Sequence, residues 1–454
     1  LRDNGKATHP ASLHVCVCAC VCLCYQLKRT SVTPITISRM KLQQSLFLLV
    51  CGFTIKAVFS SLYDPHIVPK DGPFFEGWYV RITDFDKTDS LGLLFGNVVP
   101  EANKTSKDPL VLASILYRDC STGSYNHEQL LRLKKVNDVD FKLDGAGMTK
   151  HFELSDIKYN KQCRLKSVDG KYKPSDLKVT VNGHVVDKNP DVKSPPNFKW
   201  QVNIPKGGGF LQQINGTTTF DFRIGELSLR GQASNPYPWS SEGTGPEGWL
   251  AYLPLPLHWF VFSLRSKLEF YELQNTTSGA VLRGHHGVVH LEKNWGESFP
   301  ERWIWSEGVS TTTNASFAIS GGKVTLLGIP MDAYLIGYRN PSLGITLDFT
   351  PANSIVSADI NGCGGHVNLT VSSLSHKVNI VLSAPVKTFS GCLMGPEAQG
   401  FRHACVESYD GTAVFQVFKK SMFFVIEELV DSHVLTGIGL EFGGTSVCNS
   451  TCSG

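Results

Sequence analysis

Charge is scarce in this chain. Only 18% of its 454 residues are Asp, Glu, Lys or Arg, and they leave a formal net charge of +3. No basic stripe or run stands out, which removes the electrostatic footprint of a nucleic-acid binder. Helical periodicity does not extend beyond a turn or two, so amphipathic helices cannot supply the core. No run approaches the roughly 20 apolar residues of a membrane-spanning helix. A nucleophile elbow, a P-loop and a dinucleotide fingerprint are missing too. Gly207-Gly208-Gly209 is followed by Phe210 and lacks the helix a phosphate site needs, so it reads as a turn. No motif asks for a cofactor.

What is there is β. Short alternating runs rich in Phe, Val and Thr recur, separated by Gly, Asn, Asp, Lys and Pro. The expected fold class is all-β, built of antiparallel barrel or sandwich domains, and the length suggests two. The Pro- and Gly-dense segment 234–247 reads as a linker between an N-terminal β-barrel domain, 61–233, and a C-terminal one, 248–446, with a Cys-containing tail at 447–454.

The ends carry a different text. Residues 1–39 include Cys at every second position from Cys16 to Cys24, mostly alternating with Val, as a translated dinucleotide repeat would, and Met40 is the expected start. The rival reading, a Cys-rich metal tract, lacks the acid or His ligands and the loop spacing of a zinc site. Residues 40–60 read as a secretory signal peptide: Lys41, a short apolar core at 46–53, then small Val58 and Ser60. Asn103, Asn215, Asn275, Asn314, Asn368 and Asn449 head six sequons, so a secreted, extracellular glycoprotein is expected. The later cysteines are Cys120, Cys163, Cys363, Cys392, Cys405, Cys448 and Cys452. Proximity suggests Cys392–Cys405 and Cys448–Cys452, then Cys120–Cys163, although connectivity does not follow from sequence.

The densest chemistry lies at 288–308. Trp295, Trp303 and Trp305 are interleaved there with Glu292, Lys293, Glu297, Glu301, Arg302 and Glu307, around a corner holding Gly296 and Pro300. Ionisable groups set beside indole faces line a cavity for a bulky, mostly apolar molecule. Nearer the start, Glu76 alternates with Trp78 and Val80 along one strand face. Either that face points inward and raises the carboxyl pKa, or it points outward and Glu76 pairs with Arg81 or a neighbour. His258 reads either as a cavity residue or as a hydrogen-bonded core histidine. His285, His286 and His290 do not converge as three ligands, so no metal is expected.

Several segments, in order, resemble the tocopherol cyclase-like family, whose relatives share a two-domain lipocalin-like fold with carotenoid hydratases. They are Phe74-Phe75-Glu76-Gly77-Trp78-Tyr79, Gly248-Trp249-Leu250-Ala251, His290-Leu291-Glu292-Lys293-Asn294-Trp295-Gly296 with Phe299-Pro300 and Trp303-Ile304-Trp305, Ser383-Ala384-Pro385, Ser408-Tyr409-Asp410-Gly411 with Phe415-Gln416-Val417-Phe418, and Gly439-Leu440-Glu441-Phe442-Gly443-Gly444. The resemblance implies two lipocalin-like domains and a cyclase that closes a chromanol ring on a prenylated hydroquinone. Glu76 and Glu292 are then the candidate acids, with Lys293 and Asn294 orienting the oxygen. Trp78, Tyr79, Trp249, His258, Trp295, Trp303 and Trp305 are the candidate ligand-binding residues. The expected partner is a small hydrophobic ligand of the prenylquinol or polyene class. The alternative is a non-catalytic glycoprotein with extracellular matrix partners and a vestigial pocket.

Overall fold

The computed structural model of the chain describes residues 72–448 and 452, apart from 87–89, 102–109, 119–124, 133–134, 138–139, 145–166, 170–177, 188–196, 205–206, 241–244, 327 and 422–426. The leader, the sequons at Asn103 and Asn449, and the Cys120–Cys163 pair lie outside the described residues.

Strands follow one another from Phe74 to Gly444, and the only helical structure among the described residues is three short 3₁₀ turns. They build two large sheets, antiparallel but for one short parallel pair, with one sheet curled as a half-barrel. Among the described residues the first sheet has 15 strands, the last in chain order being Gly287–Gly296; the second has 10 and begins at Arg302–Val309. The change of sheet therefore falls at 297–301. The strands Leu227–Tyr237 and Leu257–Asn275, on either side of residues 238–256, pair with each other in one sheet. The following apolar run starts its strand at Leu257, directly after Pro256, because proline lacks the N–H a ladder needs.

The Phe74–Asp84 strand sits between Ser90–Val99 and Gly287–Gly296, so chain segments more than 200 residues apart become neighbours. Side chains alternate across a strand, and the register sets which ones share a face. Trp78 lies opposite Lys293 and Phe95, while Tyr79 lies opposite Glu292 and Leu94. The first face points into a core where Phe95 stacks on Trp200 at 3.7 Å and on Phe222 at 4.8 Å between ring centroids. Such pairs contribute about 0.5–1.5 kcal/mol each beyond the area they bury. The second face meets the other sheet through Tyr79, Trp239, Trp259, Trp303, Trp305 and Tyr409.

The disulfides are Cys363–Cys448 and Cys392–Cys452, with Cα–Cα separations of 4.7 and 5.5 Å. They replace the expected Cys392–Cys405 and Cys448–Cys452. Closeness along the chain misled: the segment after Gly444 folds back over the second sheet, so both of its cysteines meet distant partners. Cys405 is a buried thiol outside both bridges.

Candidate functional site between the two sheets

A cavity of about 250 Å³ opens between the sheets. Its walls are mostly apolar: Phe75, Leu94, Leu116 and Trp259 from the first sheet, and Trp303, Trp305, Leu335 and Leu393 from the second. Five glutamates are among its lining residues, Glu76, Glu247, Glu292, Glu407 and Glu441. All five residues are buried. A carboxylate in such a place needs a cation, a set of donors or a proton.

Three have charged or potentially charged partners. The Lys293 ammonium donates to Glu76 Oε1 at 2.9 Å while lying 4.8 Å from the Trp295 ring. His290 Nε2 lies 2.9 Å from Glu292 Oε2, which also accepts from Trp305 Nε1 at 3.1 Å. Glu247 accepts the Trp259 backbone N–H at 2.6 Å and bonds His258 Nδ1 at 2.7 Å. Beside them, Arg81 is ion-paired with Glu307. Burial opposes charge on His290, yet Glu307 and the hydrogen bond His290 makes to Glu292 outweigh it and hold its pKa above the ordinary value.

Glu407 and Glu441 are different. They face each other across the Gly400–Lys420 and Glu427–Gly444 strands. Their hydrogen-bond donors are neutral: the Tyr79 hydroxyl reaches Glu407 Oε1 at 2.7 Å, and the Trp303 indole N–H donates to Glu441 Oε1. Burial raises the Glu407 carboxyl well above its ordinary range and Glu441 adds to that, against the pull of Tyr79 and Arg81. Burial likewise pushes Glu441 up to about 7, with Trp303 and Cys405 pulling the other way. Tyr79 also shares a 2.7 Å hydrogen bond with Tyr409, and burial keeps both phenols protonated. The cavity is thus an apolar chamber walled on one side by two carboxyls that burial makes harder to ionise, Glu441 up to about 7.

Local sequence explains why the acid and the indoles meet. Gly439, Glu441 and Gly443 alternate along one strand face, and Trp305 and Trp303 lie opposite Glu441 and Gly443 on the neighbouring strand. A Cβ on Gly443 would come within 1.8 Å of the Trp303 ring, and one on Gly439 within 2.8 Å of Trp305. Each indole lies over a missing side chain, and the carboxyl stands between them.

Of the sequence candidates, Glu76, Tyr79, Glu292, Asn294, Trp303 and Trp305 line the cavity. Lys293, Trp78 and Trp295 do not: alternation turns them to the other face, where Trp78 packs against Phe95 and Trp200 and Trp295 stacks on His258. His258 is a hydrogen-bonded core residue. Trp249 points to solvent, because the single 3₁₀ turn Gly248–Tyr252 gives Leu250 to the cavity instead. Sequence reasoning missed Glu247, Glu407, Tyr409 and Glu441 as site residues. For Glu441 a signal existed, a lone acid between two glycines in the otherwise uncharged run 434–444.

The tocopherol cyclase-like family model matches residues 184–444, more than half of the chain. A probable chloroplastic tocopherol cyclase of Oryza sativa subsp. japonica is 22% identical over 380 residues, covering 77% of this chain and 70% of the relative. The chloroplastic tocopherol cyclase of Zea mays is 24% identical over 404 residues, covering 82% and 75%. Among solved structures, a putative AttH from Nitrosomonas europaea aligns with a TM-score of 0.39 at 11% identity over 86% of this chain and 98% of its own. Kievitone hydratase from Nectria haematococca gives 0.37 at 12% identity, over 87% and 95%. On the extent of the family match and the order of the shared segments, this chain belongs to the tocopherol cyclase-like family.

Proposed function

We propose that the cavity binds a hydrophobic prenyl or polyene lipid bearing a hydroxyl group, and that Glu441 protonates one of its alkenes. The observation that carries this reading is a carboxyl pushed up to about 7, lining an apolar chamber between two indoles. Glu441 replaces Glu76 and Glu292 in the acid's role, because those two are engaged by Lys293 and His290. The proton moves from the Glu441 carboxyl to the less substituted alkene carbon. A C–H bond forms and a tertiary cation remains. The lipid's own hydroxyl oxygen closes a C–O bond on that cation and releases its proton, which returns to the Glu441 carboxylate. Atoms balance, so the reaction is an isomerisation with no co-reactant. Trp303 and Trp305 face the cation, each contributing about 0.5–2 kcal/mol. Burial also raises the Glu407 carboxyl, which disfavours a negative charge beside the cation. The activity named for the rice and maize relatives is of this kind.

We also propose that the protein is exported and glycosylated. Asn215, Asn314 and Asn368 are exposed, and two disulfides that join distant segments suit an oxidising compartment. A mobility shift on enzymatic deglycosylation of protein from a secretory host is the expected result; its absence removes the glycoprotein reading.

The catalytic reading is tested by incubating purified protein with a panel of prenylquinols and polyenes, then measuring bound lipid and product by mass spectrometry. Cyclised product that disappears in Glu441→Gln and persists in Glu76→Gln is expected. Bound lipid with no product makes the protein a carrier. Neither lipid nor product leaves a matrix protein with a vestigial pocket.

A further inference from the structure

One surface feature lies outside the cavity chemistry. Seven of the eight tryptophans are buried, none more than 7% exposed, whereas Trp249 is 60% exposed. Tyr252, in the same 3₁₀ turn, is 51% exposed. The run Gly248-Trp249-Leu250-Ala251-Tyr252-Leu253-Pro254-Leu255-Pro256-Leu257 has no charged residue. It is held in place, since Glu247 at its start bonds His258 and the Trp259 backbone just after its end. Leu250, Leu255, Pro256 and Leu257 of this run line the cavity. A second apolar element borders the same cavity: the Ile329–Asn340 strand gives it Met331, 40% exposed, with Ile329 at 68% two residues before. A globular protein rarely keeps such large apolar groups in water around an opening unless something covers them.

We propose that this lip docks on the surface of a lipid bilayer, so that a membrane-dissolved ligand enters the cavity without crossing water. Trp and Tyr are the residues that favour the membrane–water interface, where an apolar ring and a polar tip are both satisfied. The contact is peripheral, because no helix among the described residues is long and apolar enough to cross a membrane. Charges beside Met331 in the sheet are paired: Asp332, next to it, with Arg302 at 2.8 Å, and Lys323, opposite Asp332, with Glu301 at 2.9 Å. A neutral, zwitterionic bilayer therefore suits this lip, and anionic lipid adds nothing to its binding. The docking goes beyond the cyclisation reading and does not require it.

Trp249 is a built-in probe. Adding phosphatidylcholine vesicles to the full chain should shift tryptophan emission to the blue, and brominated phosphatidylcholine should quench the shifted component. The variant Trp249→Ala/Tyr252→Ala should partition at least about tenfold more weakly in vesicle co-sedimentation. Replacing part of the phosphatidylcholine by phosphatidylglycerol, or raising salt, should leave wild-type partitioning unchanged. Unchanged emission together with equal sedimentation of wild type and variant overturns the proposal. So does binding that requires the anionic lipid, or a vesicle-free, concentration-dependent dimer that buries Trp249, which would make the lip a contact between copies. No prenyl lipid is present in these measurements, and Glu441→Gln should bind vesicles as the wild type does, so failure here is separate from failure of the carboxyl chemistry.

Discussion

The proton on Glu441 has a consequence for stability whose sign is fixed by its raised pKa. In the unfolded chain the carboxyl titrates near 4.5; in the fold it titrates at about 7. Between those values the folded state holds a proton that the unfolded state has released, so stability falls as pH rises. The contribution is complete below about 4.5 and gone above about 7, and amounts to roughly 3 kcal/mol. Glu407 has the same sign, being raised by burial and by Glu441. His290, also raised, stabilises fully below its ordinary pKa and loses that contribution as pH rises through its folded value. Urea unfolding at pH 5 and pH 8 should show the wild type more stable at pH 5, and Glu441→Gln should narrow the gap. Product formation should decline above about pH 7 for the same reason: the acid has by then lost its proton. A rate that climbs through pH 8 would mean that another group is the donor.

At the scale of the strand, the site depends on what the glycines leave out. Gly443 lies opposite Trp303, and its missing Cβ lets the indole lie across the backbone and direct its N–H at Glu441. Gly443→Ala should force the ring aside at a cost of about 1–3 kcal/mol, because a packed interior does not absorb a methyl group freely. Glu441 then loses its donor, and product formation should fall by more than the loss of folded protein explains. Circular dichroism melts set beside specific activity separate the two effects. Strand content was legible in the sequence because alternation and turn residues are local. The pairing of Phe74–Asp84 with Gly287–Gly296 was not, since nothing within either strand names its partner. Glu76 and Glu292 were both candidate acids, but in this register they stand on opposite faces, with Glu76 toward Lys293 and Glu292 toward His290. Odd and even positions were readable. Which of the two faced the second sheet was decided only by that sheet's arrival.

Across the whole molecule, the two sheets are fastened by a few buried polar contacts set in an aromatic seam. Arg81 of the first sheet pairs with Glu307 of the second, and Tyr79 reaches Glu407 and Tyr409. Tryptophan density at 288–308 was visible in the sequence, and Trp303 and Trp305 lie in this seam while Trp295 faces the other core; the seam's partners at 407–409 and 441 sit in stretches that read as ordinary strands. The disulfides clamp only the second sheet's end, Cys363 to Cys448 and Cys392 to Cys452, closing 85 and 60 residues of chain. Reduction should cost about 2–4 kcal/mol per bridge without loosening the seam. The seam itself answers to Arg81. Arg81→Met strands the Glu307 carboxylate in a buried site and should cost about 3–5 kcal/mol, while Arg81→Met/Glu307→Leu, which removes both charges, should recover most of that loss. If the seam makes the sheets one cooperative unit, wild-type unfolding followed by tryptophan fluorescence and by far-ultraviolet dichroism should coincide, and Arg81→Met should separate the two curves. Coincident curves in Arg81→Met would mean that the apolar contacts alone hold the halves together and that Arg81 serves the cavity's charge balance instead.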